Sequence, residues 1–417
     1  MDHFNYNNNL LHAEAVPLTK IADSVGTPFY CYSTATLERH YNVLAEVFKN
    51  IKSTICFAVK ACPNIAVIRT LSNLGAGADT VSEGEIRRAL AANVPANKIV
   101  FSGVGKTPAE IEFALKKGIM QFNVESEPEL LTINSIAKKL GKKAPISFRV
   151  NPDVDAGTHD KISTGRKEDK FGIAWESAKD IYKLASTFPN IEIVGLSTHI
   201  GSQLTKLDPF RSAFRKMVGL AEELKSLGFS IKRIDLGGGL GVPYTTEDPP
   251  APKEYAELIV ETIKNLGCEL LLEPGRVIAG NAGILVCKVI YVKKTAHKNF
   301  VIVDAAMNDL MRPALYDAKH EIVPINQANE LSFAADIVGP VCETGDVLAR
   351  NRDLPELEPG DLIAFRTAGA YGASMSNSYN SRLLVPEVLV KGSEFSVIRN
   401  RQTYEEMLLA EKIPNWF

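Results

Sequence analysis

The sequence predicts a (β/α)8 barrel joined to a second, mostly β domain. Three observations carry that expectation. Between residues 55 and 275, eight short apolar or β-branched runs alternate with stretches whose apolar residues return every three or four positions. Polar or glycine residues collect at the carboxyl end of nearly every run. After about residue 277, long helical patterns give way to strand-like runs separated by turn residues.

The runs lie at 55–59, 76–81, 98–102, 121–124, 146–150, 194–199, 231–236 and 269–272, with helical periodicity over 83–92, 109–117, 128–140, 177–187, 210–227 and 254–266. Eight strands alternating with helices over roughly 220 residues fit a barrel of the TIM type better than a doubly wound sheet. No run opens into Gly-x-Gly-x-x-Gly, so the usual dinucleotide signal is missing. The barrel domain is expected over 32–277. Segments 1–31 and 278–417 are expected to form the β domain, with runs at 283–292, 299–303, 330–337, 362–368, 383–390 and 394–398. Phe29-Tyr30-Cys31-Tyr32 precedes the first barrel beat and suggests that the N-terminal stretch joins that domain. The Gly-, Thr-, Asp- and Lys-rich stretch 155–171 reads as a mobile active-site loop.

A net charge of −2, from 47 basic and 49 acidic residues, gives no sequence-wide field for nucleic acid or anionic membranes, which leaves a small-molecule ligand. The six cysteines, at 31, 56, 62, 268, 287 and 342, include no Cys-x-x-Cys pair and no zinc-like spacing, so no metal is expected. Free thiols, an N-terminus without a basic leader and the lack of a long apolar stretch lead to the expectation of a soluble, cytoplasmic protein.

The carboxyl ends of the runs fall near Lys60, Asp79 and Ser82, Ser102, Glu125, Arg149 and Asn151, His199, the glycines 237–239, and Glu273. In a barrel, that face holds the catalytic groups. Lys60 closes the apolar run Ile55-Cys56-Phe57-Ala58-Val59, where burial would disfavour its ammonium form and make it a nucleophile; the alternative is a strand-end lysine that snorkels to solvent. Gly237-Gly238-Gly239 lets backbone amides approach a phosphate that a Cβ would hold off, and Glu273-Pro274-Gly275-Arg276 closes the next run, although either could be a plain tight turn. His199 could lie flat on an aromatic cofactor or be structural, and Ser202 supplies a hydroxyl for a phosphate oxygen.

Ala58-Val59-Lys60-Ala61, His199-Ile200-Gly201-Ser202-Gln203, Gly237-Gly238-Gly239 and Glu273-Pro274-Gly275-Arg276, in this order, resemble the fold-type III pyridoxal-phosphate-dependent decarboxylases, whose fold is alanine racemase-like. Met311-Arg312-Pro313-Ala314-Leu315-Tyr316, Cys342-Glu343-Thr344-Gly345-Asp346 and Ala370-Tyr371-Gly372 extend the resemblance over nearly the whole chain. It implies pyridoxal 5′-phosphate as cofactor, held by Lys60 as a Schiff base, with Glu273 at the pyridine nitrogen and His199 on the ring. Asp79, Ser202, Gly238, Gly239, Gly275, Arg276 and Tyr371 complete the implied cofactor site. Arg276, Arg312, Tyr316, Glu343 and Tyr371 would bind substrate; two arginines and one acid suit a diamino dicarboxylate better than ornithine. The same pattern read as structural ion pairs is the bland alternative. Cys342 would return a proton to the α-carbon, reaching the site from a partner subunit of a homodimer. The implied reaction converts meso-2,6-diaminopimelate to L-lysine and CO2. Ornithine, arginine or a carboxylated polyamine as substrate, or a non-catalytic cofactor carrier, are the alternatives. Cys62 stands where many members of the family carry asparagine.

Overall fold

The eight expected runs fold into eight parallel strands: Ser53–Ala58, Gly77–Thr80, Ile99–Phe101, Gln121–Val124, Ala144–Arg149, Ile191–Ser197, Arg233–Asp235 and Glu269–Leu272. Their order in the sheet is their order in the chain, and the last pairs with the first, Leu270 opposite Ser53, to close a barrel. The computed structural model describes residues 2–155, 164–166, 168–327 and 332–417. The expectation of a mobile loop over 155–171 falls largely outside the described residues, as does the start of the expected run 330–337.

The sequence explains the barrel locally. Its strands are short and mostly apolar, and Gly77–Thr80, Ile99–Phe101 and Gln121–Val124 are buried along their whole length, as parallel strands covered on both faces must be. After each of the first four strands a capping side chain starts the next helix: Asn64 for Ile65–Asn73, Ser82 for Glu83–Ala91, Thr107 for Pro108–Lys117 and Ser126 for Glu127–Lys139. Each accepts a first-turn backbone N–H that would otherwise lack a partner. The two long late helices, Asp208–Ser226 and Pro252–Ile263, begin two residues before the expected 210 and 254. Pro209 and Pro252 stand in the first turns, where a proline forfeits no hydrogen bond.

Polar groups are stacked inside the barrel toward the strands' carboxyl ends. Cys56, Val100, Met120 and Leu271 form a small apolar cluster. Asp79, Asn123, Ser147, Ser197 and Asp235 are buried within the strands, and Glu273 directly follows the last one. Such groups are tolerated only when hydrogen-bonded or functional.

By internal contacts the chain divides into two units, Glu38–Pro243 with Glu247–Ile278, and Met1–Leu37 with Tyr244–Thr246 and Ala279–Phe417. The second is mostly β. Its main sheet runs Val347–Pro355, Ser332–Val338, Asn299–Val303, Gly283–Lys294, Phe29–Ser33, Glu387–Lys391 and Glu394–Arg399, and Leu362–Phe365 also pairs with Gly283–Lys294. Phe4, Leu11, Val16, Ile21, Phe29, Ile284, Val286, Ala364, Val388 and Val390 pack into its core. Val347–Pro355 was not among the expected runs: only Leu348 and Leu354 are buried in it, and its register slips twice against its neighbour. No helix among the described residues is long and apolar enough to cross a membrane.

Candidate active site

The first barrel strand stops at Ala58, and a 3-10 turn, Val59–Ala61, lifts Lys60 out of the strand. Its Nζ donates to Asp79 Oδ2 at 2.7 Å, from the second strand. Asp79 is fully buried, whereas the Lys60 side chain is 37% exposed. This corrects the sequence-based reason for suspecting Lys60. The side chain is partly open rather than enclosed, and a buried carboxylate fixes the position of its amine. The other oxygen, Asp79 Oδ1, is buried with no hydrogen-bond partner among the described residues, which costs free energy.

A cavity of about 400 Å³ opens at this end of the barrel, lined by Lys60, Ser102, Asn123, Arg149, His199 and Glu273 among others, a size suited to a small ligand. Glu273 follows the eighth strand and is buried. Asn123 Nδ2 donates to its Oε1 at 3.2 Å, and Ser102 Oγ lies 3.4 Å from the same oxygen. Burial, reinforced by the nearby Asp235 and Asp79 charges and only partly offset by Lys60, pushes its carboxyl well above the usual carboxylate range. His199 follows the sixth strand. Desolvation, together with the Arg149 and Lys60 cations, holds its imidazole well below the usual range. Its Nδ1 accepts the Gly238 N–H at 3.3 Å, which places the proton of the neutral ring on Nε2.

The glycine turn is a cradle that side chains would fill. A Cβ on Gly238 would sit 2.3 Å from the Glu273 carbonyl oxygen, and one on Gly239, at φ +111°, 2.5 Å from that of Gly201. Beside it, Arg276 is buried and its Nη2 donates to Ser202 Oγ at 3.1 Å. Gly275 precedes Arg276 in the turn after the eighth strand.

Lys60, His199 and Glu273 thus line one cavity, with Asp79 on Lys60, Gly238 on His199 and Ser202 on Arg276. The other expected residues belong to the second unit. There Arg312 is buried at the start of the helix Arg312–Tyr316, its guanidinium 4.2 Å from the Tyr244 ring centroid and its Nη1 2.9 Å from His320 Nε2. Cys342 and Glu343 share an exposed turn: Asn380 Oδ1 accepts the Cys342 N–H at 3.0 Å, and Glu343 accepts from the Tyr379 hydroxyl at 3.3 Å. Tyr371 adopts the left-handed region at φ +57°, a conformation that costs a non-glycine residue energy and often marks a functional position.

Sequence reasoning passed over Asn123, Arg149 as a cavity wall, and the His320 and Tyr244 that surround Arg312. For Asn123 a signal existed. Gln121 and Asn123 alternate with Phe122 and Val124, so two amides must be buried in a parallel strand.

The pyridoxal binding domain of the pyridoxal-dependent decarboxylases matches residues 34–280, and the chain belongs to that family. It is 53% identical over 413 residues to the diaminopimelate decarboxylase of Haemophilus influenzae, covering 99% of both chains. Its fold superposes on the crystal structure of diaminopimelate decarboxylase from Helicobacter pylori complexed with L-lysine with a TM-score of 0.91, at 44% identity over 94% of this chain and 98% of that one. For the M. jannaschii enzyme in co-complex with L-lysine the TM-score is 0.95, at 39% identity over 99% and 98%. Pyridoxal phosphate is the cofactor of this family. The residues present fit it: a cradle open only to backbone, an arginine and a hydroxyl beside it, a buried carboxyl at the cavity wall and a lysine held at the entrance.

Proposed function

We propose that this chain decarboxylates meso-2,6-diaminopimelate to L-lysine and CO2, the last step of lysine biosynthesis. The observation that carries this reading is full-length identity to diaminopimelate decarboxylases, combined with a single cavity lined by Lys60, His199 and Glu273.

Lys60 Nζ is the atom that would join the cofactor through its carbonyl carbon. Asp79, whose Oδ2 accepts from that atom at 2.7 Å, would hold it in position for the cofactor. Glu273 would face the pyridine nitrogen, where a carboxyl that readily holds a proton has something to share. His199, kept neutral and with its Nδ1 tied to the backbone, would present its ring face. Gly238, Gly239, Gly275, Ser202, Arg276 and Tyr371 would hold the phosphate. Once bound, the cofactor supplies the electron sink that accepts the pair left on the α-carbon as CO2 departs. Arg276, Arg312, Tyr316, Glu343 and Tyr371 are assigned to the substrate. A bidentate guanidinium suits the distal carboxylate that ornithine lacks. Cys342, an exposed free thiol in this chain, is assigned the proton returned to the α-carbon.

We further infer a homodimer in which Cys342 serves the site of the partner chain, and a cytoplasmic location. Support for the first comes from the sequence resemblance, and for the second from six cysteines that are all free thiols.

The test supplies pyridoxal phosphate with meso-diaminopimelate, ornithine and arginine in separate assays and measures CO2. Release from meso-diaminopimelate, with at most traces from the others, is the expected result. Release from ornithine or arginine alone overturns the substrate assignment.

A further inference from the structure

Asp235 has no part in the roles assigned above, yet it is fully buried at the end of the seventh strand, beside them. Its Oδ1 accepts the Gly237 N–H at 3.0 Å and its Oδ2 accepts from Asn123 Nδ2 at 3.1 Å. The same Nδ2 reaches Glu273 Oε1 at 3.2 Å and Ser102 Oγ at 3.1 Å, so one amide with two hydrogens serves both carboxyls. Gln121 Nε2 donates to Asn123 Oδ1 at 2.9 Å, which fixes the amide with its NH2 toward the acids. Asp235 and Glu273, bridged by that amide, are both buried, and burial is the main cause pushing each carboxyl up from its usual range.

The proton's place follows from the donors. Asp235 accepts from a backbone N–H at 3.0 Å and an amide at 3.1 Å, both of which favour its carboxylate form; Glu273 accepts from the same amide at 3.2 Å and from the Ser102 hydroxyl at 3.4 Å, longer contacts that leave the proton with Glu273. Two buried carboxyls sharing one amide favour keeping one proton between them unless a neighbouring cation offsets the second charge. The other titratable groups around the pair are Asp79, which disfavours ionisation of both acids, Lys60, which acts on Glu273 in the opposite sense, and Cys56 and Tyr255, both buried.

We propose that Asp235 is a second carboxylate of the ring-nitrogen site, a positioning residue that acts through Asn123 and Glu273 to keep a proton on a pyridine nitrogen held against Glu273. The proposal rests on the placement of Glu273 given above. In the step it describes, the Glu273 O–H bond breaks and the ring N–H bond forms. Glu273 is left as a carboxylate hydrogen-bonded to Asn123, and the Asp235 charge behind it raises the proton affinity of the Glu273–nitrogen pair as a whole.

Holoenzyme reconstituted with pyridoxal phosphate carrying 15N in the ring tests it, because the nitrogen's chemical shift reports its protonation directly. The wild type should keep the protonated signal across its stable pH range, and Glu273→Gln should lose it. In Asp235→Asn the signal should titrate at lower pH, by at least about one unit, a tenfold fall in proton affinity. Retention of the protonated signal in Glu273→Gln defeats the placement of Glu273, and the proposal with it. Loss there with wild-type titration in Asp235→Asn overturns the proposal alone. Should Asp235→Asn fail to fold or to bind cofactor, Asn123→Leu decides: a downward shift supports the proposal, and an unchanged titration overturns it.

Discussion

Lys60 and Asp79 show how one contact ties stability to chemistry. Asp79 is buried, already has one oxygen without a partner, and meets the Lys60 ammonium with the other. Lys60→Ala should therefore do two separable things. It should abolish the visible absorption of the lysine-linked cofactor together with all turnover. It should also destabilise the cofactor-free protein by about 1–3 kcal/mol, moderated because the lysine side chain is partly open to water. The double variant Lys60→Ala/Asp79→Asn should regain most of that stability and none of the absorption. Melting temperatures of the three proteins, with their spectra, check both halves; a double variant no more stable than Lys60→Ala would remove Asp79 as the origin of the loss.

At the level of elements, the barrel was legible because each strand is an apolar run bounded by polar residues, and because the helices between them carry a clear period. The carboxyl-end residues could be read for the same reason: once the strands are placed, a parallel barrel sends all their ends to one face. What escaped was whatever depends on contacts between strands. Asp235 lies unremarked inside the run 231–236, because its bond to Asn123, 112 positions away, has no local signature. The edge strand Val347–Pro355 escaped because charged residues break its alternation. Glu85, near the start of Glu83–Ala91, carries no sequence mark of its surroundings. Its Oε2 accepts the Val81 N–H at 2.8 Å, as a helix N-terminus favours, but burial pushes its carboxyl up to about 7. A folded-state value above the unfolded one means that this group favours folding at acid pH and that the benefit is lost as pH rises from about 4.5 through 7. Glu85→Gln keeps an acceptor for Val81 and removes the charge. At pH 8 it should be more stable than the wild type by about 1–3 kcal/mol, with the gap closing toward pH 4.5. Thermal unfolding at the two pH values is the check, and an equal gap at both would show that burial of the charge is not the cause.

At the scale of the whole molecule, the chemistry divides along the chain. Lys60, His199 and Glu273, proposed above to face the cofactor, line a cavity of the barrel unit, whereas Cys342 and Glu343 lie on an exposed turn of the other unit. An exposed thiol is a poor proton donor to a carbon centre unless something encloses it, because water competes for the same position. Symmetric pairing, in which each chain lends its turn to the other's barrel, would provide that enclosure. It makes a prediction that no single-chain site can imitate. Lys60→Ala and Cys342→Ala each should be nearly inactive alone. After subunit exchange, half of the dimers in an equimolar mixture hold one chain of each kind, and each such dimer has one site carrying both substitutions and one carrying neither. Activity should then recover to about a quarter of the wild-type value per chain. If Cys342 instead serves its own barrel, every site in the mixed dimer carries one lesion and the mixture stays as inactive as its parts. Mass measurement in solution, run on the same mixture, separates that result from a failure of the chains to pair or exchange.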